Sequence, residues 1–428
     1  MNETHLSALN HIHIHKTDKF KTTMITFKFM APLDIHTMTE RSLLSKMLIR
    51  ATKQWPTDRT FNQHLSSLYG AYVNSYVSKY KDRHVLTLTL EIVNERYLKD
   101  ATPLFQKGIE LLKEVLYHPL VENNKFNAGF LKQEKMLLKK KLTAIEDNKS
   151  QIAYLNLLKH MFGDHPYRYI AAGDKAHIDK ITPESLYHTY CKMLEEDSCD
   201  IYVVGNVDEE ATKANIAQTF KFTPKTTNFS SIKHEIPSHE MINDVVEYDE
   251  VDQAKLNFGF RFPTEFGQPN YYAFTVFNTM FGGDPSSVLF NEVREQKSLA
   301  YSIHSQIDGK NGLLYVTSGV SINDVDEAKK TIIAAFERFK QGEFSDEKLE
   351  LAKKIILSHR KEAKDRPKHI IEVLHNQLLL SKVEDETSFI QKIEGVSRED
   401  IQQLCQDAQL DTIYTMTKAG ETHAKDAL

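Results

Sequence analysis

One order of secondary-structure signals occurs twice along the chain, and this repetition constrains the fold more than any single motif. Each half is predicted to form strands first, then a helix whose apolar residues recur at three-to-four spacing, then strands again. These signals lie at about 11–30, 43–51 and 71–92 in the first half and at about 254–262, 271–280 and 301–320 in the second. A repeated strand-helix-strand plan predicts two similar domains.

The length of the chain leads to the same division. A chain of 428 residues is long for one hydrophobic core, which favours two domains of roughly 200 residues each. Residues 223–244 are rich in Thr, Ser and Pro and show no sustained period, as is typical of a linker. We therefore predict an N-terminal domain over 1–222, a linker over 223–244 and a C-terminal domain over 245–428.

Charge and cysteine content exclude several functional classes. The formal charge of −5, from 54 basic and 59 acidic residues, provides no field that would attract nucleic acid. The three cysteines, Cys191, Cys199 and Cys405, form no Cys-x-x-Cys motif, so the sequence predicts neither a disulfide framework nor a thiolate metal site. No signal peptide and no apolar stretch of membrane-spanning length is recognised, so we expect a cytoplasmic protein without a membrane span.

Histidines near the N-terminus are a first candidate metal site. His11, His13 and His15 alternate, which places all three on one face of a strand, within reach of a shared ion. No carboxylate in the sequence is placed to join them. We interpret the three as a polar strand face.

A second candidate is the stretch from His234 and Glu235 to His239. It is similar to the zinc motif H-E-x-x-H, but three residues separate Glu235 from the second histidine where the helical motif needs two. Pro237 also interrupts it. We interpret this stretch as linker sequence.

The most informative stretch is FGGDPSSVLFNEVREQKSLAYSIHS, residues 281–305. It resembles the C-terminal-domain signature of pitrilysin/insulinase-type peptidases, the family of the mitochondrial processing peptidase. Further collinear matches, such as HMFGDHPYRYIAAG and LYGAYVNSYVSKY, extend the resemblance along most of the chain. It implies an α+β fold of two tandem homologous domains, each an antiparallel sheet flanked by helices.

The resemblance also indicates what the chain lacks. Active members carry H-x-x-E-H on the first helix, where two histidines bind zinc and the glutamate is the general base. Ser42, Ser45 and Lys46 occupy these positions here, and Lys141, or Lys140 one residue earlier, occupies that of the third ligand, a glutamate. Serine is a poor zinc ligand, and a protonated lysine has no lone pair to offer. We therefore predict no metal in this chain.

The lysines at this degenerate site permit two interpretations. They are either a relict of the metal site, reaching solvent or nearby acids, or an electrostatic substitute for zinc that holds a carboxylate. The sequence alone leaves both open, with the relict interpretation favoured.

The resemblance assigns a role to Arg294 and Tyr301, which match the substrate-holding pair of the family. An arginine offers a fixed fork of donors to peptide carbonyls, and a tyrosine hydroxyl can donate to the developing oxyanion. The alternative is structural: Arg294 would pair with Glu292 or Glu295, and Tyr301 would be a strand residue with a solvated hydroxyl.

Together with the missing ligands, the resemblance implies a bacterial, non-metal subunit that forms a heterodimer with a zinc-bearing homologue, contributes half of the peptide chamber and has no activity alone. The alternative is a non-catalytic scaffold of the same fold. A self-sufficient hydrolase is disfavoured because no G-x-S-x-G motif occurs. Among subgroups, the chain most resembles bacterial proteins associated with elongation factor P aminopentanol modification, with inserted sequence near 93–101 and 121–130 in support.

Overall fold

The computed structural model describes residues 11–100, 102–222, 239–379 and 384–419. Within these ranges the strands are β1 (Ile12–Lys16), β2 (Thr22–Pro32), β3 (Tyr72–Tyr80), β4 (Arg83–Val93), β5 (Val121–Glu122), β6 (Lys125–Phe126), β7 (Ser198–Gly205), β8 (Asn243–Tyr248), β9 (Ala254–Arg261), β10 (Ala300–Asp308), β11 (Leu313–Val320) and β12 (Gln409–Thr417). The α-helices are α1 (Ile35–Leu48), α2 (Asp58–Ser67), α3 (Leu104–Tyr117), α4 (Ala128–Asp147), α5 (Lys149–Phe162), α6 (Lys175–Ile178), α7 (Pro183–Glu196), α8 (Glu209–Thr219), α9 (Tyr271–Asn278), α10 (Val325–Lys340), α11 (Asp346–Ala363), α12 (Pro367–Leu379), α13 (Glu386–Glu394) and α14 (Arg398–Gln406).

The two five-stranded sheets follow one plan. The first sheet has the order β1-β7-β2-β4-β3 and the second has the order β8-β12-β9-β11-β10, so each strand of one has a counterpart in the other. This confirms the α+β fold with two similar halves. The sheets are mixed rather than antiparallel, because β1 pairs with β7, and β8 with β12, in parallel. A parallel pair needs a long connection, and most of each half-chain lies between these partners.

The central strand β2 is buried along most of its length, since helices cover both faces of the first sheet. Phe27 and Phe29 are fully buried on one face, and Lys28 between them is buried on the other. The Lys28 ammonium lies 2.8 Å from the carboxylate of Glu372 on α12. A continuous β-branched and aromatic run is typical of a strand covered on both sides.

The chain divides into two compact units, and each contains a segment from the other half of the sequence. The first unit comprises the described residues within 1–143 and 169–230 together with 363–376, which include most of α12. The second comprises those within 144–168, 231–362 and 377–428, so α5 belongs to it. Each sheet is therefore covered on one face by a helix that the sequence order assigns to the other half.

In the second unit, α5 lies close against the sheet. The Asn156 amide donates to the Tyr414 hydroxyl at 2.8 Å and to the Glu247 carboxylate at 3.0 Å. A Cβ atom added at Gly259 would come within 2.1 Å of the Met161 sulfur, so only glycine permits this approach of helix to strand.

Most of the predicted linker lies outside the described residues, which resume at 239. β8 begins at Asn243, two residues inside the predicted linker. The predicted domain boundaries remain a prediction. The exchange of segments between the units was not foreseen from the sequence.

A buried polar network holds α1 on the first sheet. The Arg41 guanidinium lies 2.7 Å from the Asp197 carboxylate and donates from Nε to Nδ1 of His84 at 3.1 Å. Nε2 of His84 lies 2.8 Å from the carbonyl oxygen of Ala171. Because one ring nitrogen accepts and the other donates, His84 is a neutral imidazole here.

This network predicts an acid-labile fold. Burial, reinforced by the Arg41 charge, lowers the pKa of His84 to about 3. Below about pH 6.5 the unfolded chain takes up a proton at His84, whereas the folded chain does not. The contribution of His84 to the free energy of unfolding is therefore complete above pH 6.5 and is lost as the pH falls toward 3. We expect His84→Gln, which retains one donor and one acceptor, to reduce the pH dependence of unfolding by up to about 1.4 kcal/mol per pH unit in this window. Denaturant unfolding of both proteins at pH 7 and pH 5 measures this pH dependence. An equal change in the free energy of unfolding in the parent and the variant would contradict the assignment of His84 as a buried neutral imidazole.

Candidate functional site

Helix α1 carries the residues that match the degenerate zinc motif. It begins after Asp34, whose side chain accepts a hydrogen bond from the His36 amide. Ser42 and Ser45 are buried, and the Ser45 hydroxyl donates to the Ser42 carbonyl at 2.7 Å. Lys46 is exposed and donates from Nζ to the Ser75 carbonyl on β3. The hydroxyls of Ser42 and Ser45 are therefore buried where α1 packs, and the Lys46 ammonium lies beside the edge strand β3.

Helix α4 contributes the lysine at the third ligand position. Lys140 and Lys141 are both exposed, and Arg50 pairs with Glu134 two turns before Lys141. Partial burial lowers the pKa of Lys46, and the Lys141 charge lowers it further, while Glu134 raises it. The choice between Lys140 and Lys141 as the counterpart of the third ligand remains a prediction.

The residues at this site do not fit a zinc ion. In the part of the chain that the structure describes, no group of three or more His, Cys, Asp or Glu side chains is arranged to hold a metal. The degenerate site offers two hydroxyls and two ammonium groups, none of which is a suitable zinc ligand at neutral pH. No zinc chemistry can be assigned to this chain on that donor set.

One sequence interpretation is wrong in detail. His11 and His13 are joined by a carboxylate after all, because Asp200 on β7 lies between them. Its Oδ1 is 3.0 Å from Nδ1 of His11 and 3.1 Å from Nε2 of His13. The H-E-x-x-H-like stretch lies outside the described residues except for His239, whose Nε2 contacts the His160 carbonyl at 3.2 Å.

The degenerate site leads to a direct test by restoration. We expect the quadruple variant Ser42→His, Ser45→Glu, Lys46→His and Lys141→Glu to bind zinc weakly, because it supplies three ligands and a base on the same helices. The parent chain, the matched control, should bind none. Elemental analysis after dialysis measures both. No zinc in a folded quadruple variant would show that the alignment of these positions is wrong, and one tightly held zinc in the parent would show a site elsewhere.

Arg294 and Tyr301 lie close together in the second unit. Arg294 lies in a π-helical turn, Phe290–Gln296, with its guanidinium 4.6 Å from the centre of the Phe290 ring. Tyr301 lies at a bulge between Ala300 and Ser302 at the start of edge strand β10, and it is 76% exposed. Both side chains line one open cavity of about 650 Å³.

The structural alternative for Arg294 accounts for only part of its bonding capacity. Its Nε lies 3.5 Å from the Glu295 carboxylate, and its side chain is 42% exposed. Glu292 is bound instead by Arg338, at 2.5 and 2.6 Å. With respect to the residues that the structure describes, most donors of the Arg294 fork thus remain available to a ligand, at the same cavity as the exposed Tyr301.

The rest of the cavity wall could not be identified from the sequence. It includes Asp252 and Gln253 from the loop before β9, and Ser321 and Asn323 from the turn after β11. These residues belong to no motif, and only the pairing of β9, β10 and β11 brings the loops together.

Comparison with known proteins identifies the family. The family model described as the peptidase M16 inactive domain matches residues 180–356. The probable inactive metalloprotease YmfF of Bacillus subtilis is 37% identical to this chain over 404 residues, which are 94% of each protein. The chain belongs to the peptidase M16 family. The resemblance to pitrilysin/insulinase-type peptidases is thereby confirmed at the level of the family.

Solved structures share the fold of this M16 chain. A conserved protein from Enterococcus faecalis superposes with a TM-score of 0.89 at 28% identity, covering 96% of this chain and 97% of that one. The peptidase M16 inactive domain from Pseudomonas fluorescens superposes with a TM-score of 0.78 at 16% identity, covering 96% of each chain. In the described part of the M16 chain, no helix is both long and apolar enough to cross a membrane.

Proposed function

We propose that this M16 chain is a non-metal subunit of a heteromeric zinc peptidase and that it contributes part of the peptide chamber to a zinc-bearing homologue. The observation that carries the proposal is that Arg294 and Tyr301 line one cavity and that contacts with the described residues leave bonding capacity free on both side chains. A chain that holds peptides but has no metal ligands needs a partner to supply the chemistry.

The two residues have different roles in this proposal. Arg294 holds carbonyl oxygens of the bound peptide through its planar fork of donors. Tyr301 donates its hydroxyl to the oxygen of the scissile carbonyl as negative charge develops there. The bulge at the start of β10 supports this role, because bulges reorient a side chain away from the regular sheet face. The degenerate site on α1 and α4 then has no part in activating water.

The cellular setting forms part of the same proposal. The three cysteines are free thiols, with Cys199 and Cys405 buried, which suits a reducing compartment such as the cytoplasm. Within the family we place the chain beside the bacterial proteins associated with elongation factor P aminopentanol modification. That placement implies an association and no modifying chemistry.

Purification from the native cell tests the proposal. We expect a tagged chain to co-purify with a second M16 chain that contains H-x-x-E-H, and the isolated complex to contain about one zinc per pair. Mass spectrometry and elemental analysis measure these two quantities. If the tagged chain purifies alone, or only with proteins of unrelated fold, the scaffold alternative is favoured.

A further inference from the structure

The strand β8 forms one edge of the second sheet, and its outer side is left unpaired. It pairs with β12 in an unbroken parallel register over all six of its residues. The amide of Asp249, directly after β8, donates to the Thr417 carbonyl on β12 at 2.9 Å. Because backbone groups alternate sides along a strand, the amides and carbonyls of Asp244 and Val246 face away from β12. Among the described residues, no strand pairs with them.

Apolar side chains are exposed on and just before this strand. Met241 is 83% exposed, Ile242 is 49% exposed and Val246 is 48% exposed. The neighbouring Glu247 points to the other face of β8, where its carboxylate accepts a hydrogen bond from Asn156 on α5. The side chain of Val246 therefore lies on the face that α5 does not cover. Exposed apolar groups beside unpaired backbone groups favour the addition of a further strand.

The other edge strands of the two five-stranded sheets carry features that oppose such pairing. β1 ends at the exposed Lys16, β3 contains Lys79, and β10 begins with a bulge. Lysines and bulges at a sheet edge discourage another strand from adding to it. β8, with the sequence NDVVEY, contains no lysine, proline or bulge. This edge is thus the least protected of the four.

The charge around β8 indicates what kind of strand would pair with it. Residues 239–254 contain six acidic residues and no lysine or arginine. Basic side chains neutralise two of the six, in the pairs Lys329–Asp244 at 2.7 Å and Lys149–Asp249 at 2.6 Å. Glu240 and Glu250, one on each side of the strand, are exposed, and their carboxylates have no partner among the described residues. Both ends of the edge are therefore negatively charged, which favours a basic partner.

A second copy of this chain fits this edge poorly. In an antiparallel pair of β8 strands centred near Val246, Glu240 of each copy would face the acidic stretch 249–252 of the other. Like charges directly opposite each other destabilise a strand pair. A segment of opposite charge fits better.

We propose that β8 is a docking strand for an extended segment of another protein, with apolar residues in its middle and basic residues at both ends. The backbone of the segment pairs with the outward amides and carbonyls of β8. Its apolar residues cover Met241, Ile242 and Val246, and its basic ends contact Glu240 and Glu250. This inference goes beyond the proposed function, because none of these residues lines the cavity described above.

Binding of a synthetic peptide to the isolated full-length chain tests the proposal. The probe is fluorescein-labelled Lys-Arg-Val-Thr-Val-Thr-Val-Arg-Lys with a C-terminal amide. One analogue is methylated at every backbone nitrogen from the first valine to the last, and another has Glu in place of each Lys and Arg. We expect the basic peptide to bind at least about tenfold more tightly than either analogue, because the first lacks backbone donors and the second meets like charges. Fluorescence anisotropy measures the three affinities.

Matched variants locate the docking strand. We expect Val246→Lys to weaken binding of the basic peptide about tenfold, because a lysine on an edge strand opposes pairing. Leu351→Lys is the control, since it makes the same change of charge at a side chain that is 44% exposed on α11. It should leave binding within about twofold. Met241→Lys lies outside the strand and should weaken binding about threefold, so it tests the surface even if Val246→Lys is destabilised.

Four results would overturn the proposal. Equal binding of the methylated peptide would indicate attraction of charges without strand pairing, and unchanged binding by Val246→Lys would locate docking elsewhere. A dimer in analytical ultracentrifugation that Val246→Lys disrupts would make a second copy the occupant. The fourth is no binding of the basic peptide up to about 1 mM. Cleavage by the reconstituted pair does not require a ligand at β8, so the proposed subunit function has its own separate test.

Discussion

In a complex reconstituted with its zinc-bearing partner, the Tyr301→Phe variant is expected to cleave peptide about a hundredfold to a thousandfold more slowly than the parent. Loss of one oriented oxyanion donor typically removes roughly 3 to 4 kcal/mol of transition-state stabilisation. The substitution removes only a hydroxyl from a side chain that is 76% exposed, so the fold and the assembly should be unaffected. The effect should fall mainly on kcat, because the hydroxyl acts on charge that develops in the transition state.

Arg294→Ala is expected to affect binding as well as turnover in the same complex. Its guanidinium holds peptide carbonyls in the ground state too, so KM should rise together with the fall in kcat. Steady-state kinetics at several peptide concentrations separate the two effects. Size-exclusion chromatography of each complex shows whether assembly is intact.

A matched control is available on the same sheet. Tyr248 on β8 is 55% exposed, at the opposite edge of the second sheet from β10. Tyr248→Phe removes an equivalent hydroxyl and should leave the rate unchanged. If Arg294→Ala and Tyr301→Phe both cleave at the parental rate in an assembled complex, the chamber-sharing proposal is wrong and the scaffold alternative replaces it.

Arg41→Met is expected to lower the free energy of unfolding by about 3 to 5 kcal/mol, the cost of leaving a buried partner charge uncompensated. Both members of the ion pair are almost inaccessible, with side chains 4% exposed at Arg41 and 5% at Asp197. The variant also loses the hydrogen bond from Arg41 to the Phe29 carbonyl at 3.1 Å. Equilibrium urea unfolding at pH 7 measures the loss.

Arg59 provides the control for this measurement. It is exposed on α2 and makes no hydrogen bond or ion pair with the described residues, so Arg59→Met should change the free energy of unfolding by less than about 0.5 kcal/mol. A loss below about 1 kcal/mol in Arg41→Met would show that the network does not hold α1 in place.

The sequence was sufficient for features that depend on local pattern. The run TTMITFKFM predicts a strand, and the apolar spacing between Leu43 and Ala51 predicts the helix that becomes α1. The repeated order of elements predicts two similar halves, which the matching strand orders confirm. These features follow from periodicity within a few turns or a few strand residues.

Contacts between residues that are far apart in the sequence could not be predicted. Asp200 reaches His11 and His13 only because β7 pairs with β1 in one register, across nearly two hundred residues of sequence. The same holds for Arg50 and Glu134, which pair across 84 residues of sequence. Sequence spacing left a choice between Lys140 and Lys141 because one residue of uncertainty in a helix rotates a side chain by about 100°.

The exchanged helices have a consequence for the history and engineering of the molecule. Each sheet depends on a helix encoded in the opposite half of the gene, α5 for the second sheet and α12 for the first. In a chimera joined at 223–244, each half-chain carries the helix that covers the sheet of the other half. The chimera is therefore expected to fold only if α5 and α12 each fit the sheet supplied by the other parent. Neither half can therefore be exchanged separately, and substitutions on α5 and α12 are constrained by the sheet of the other half.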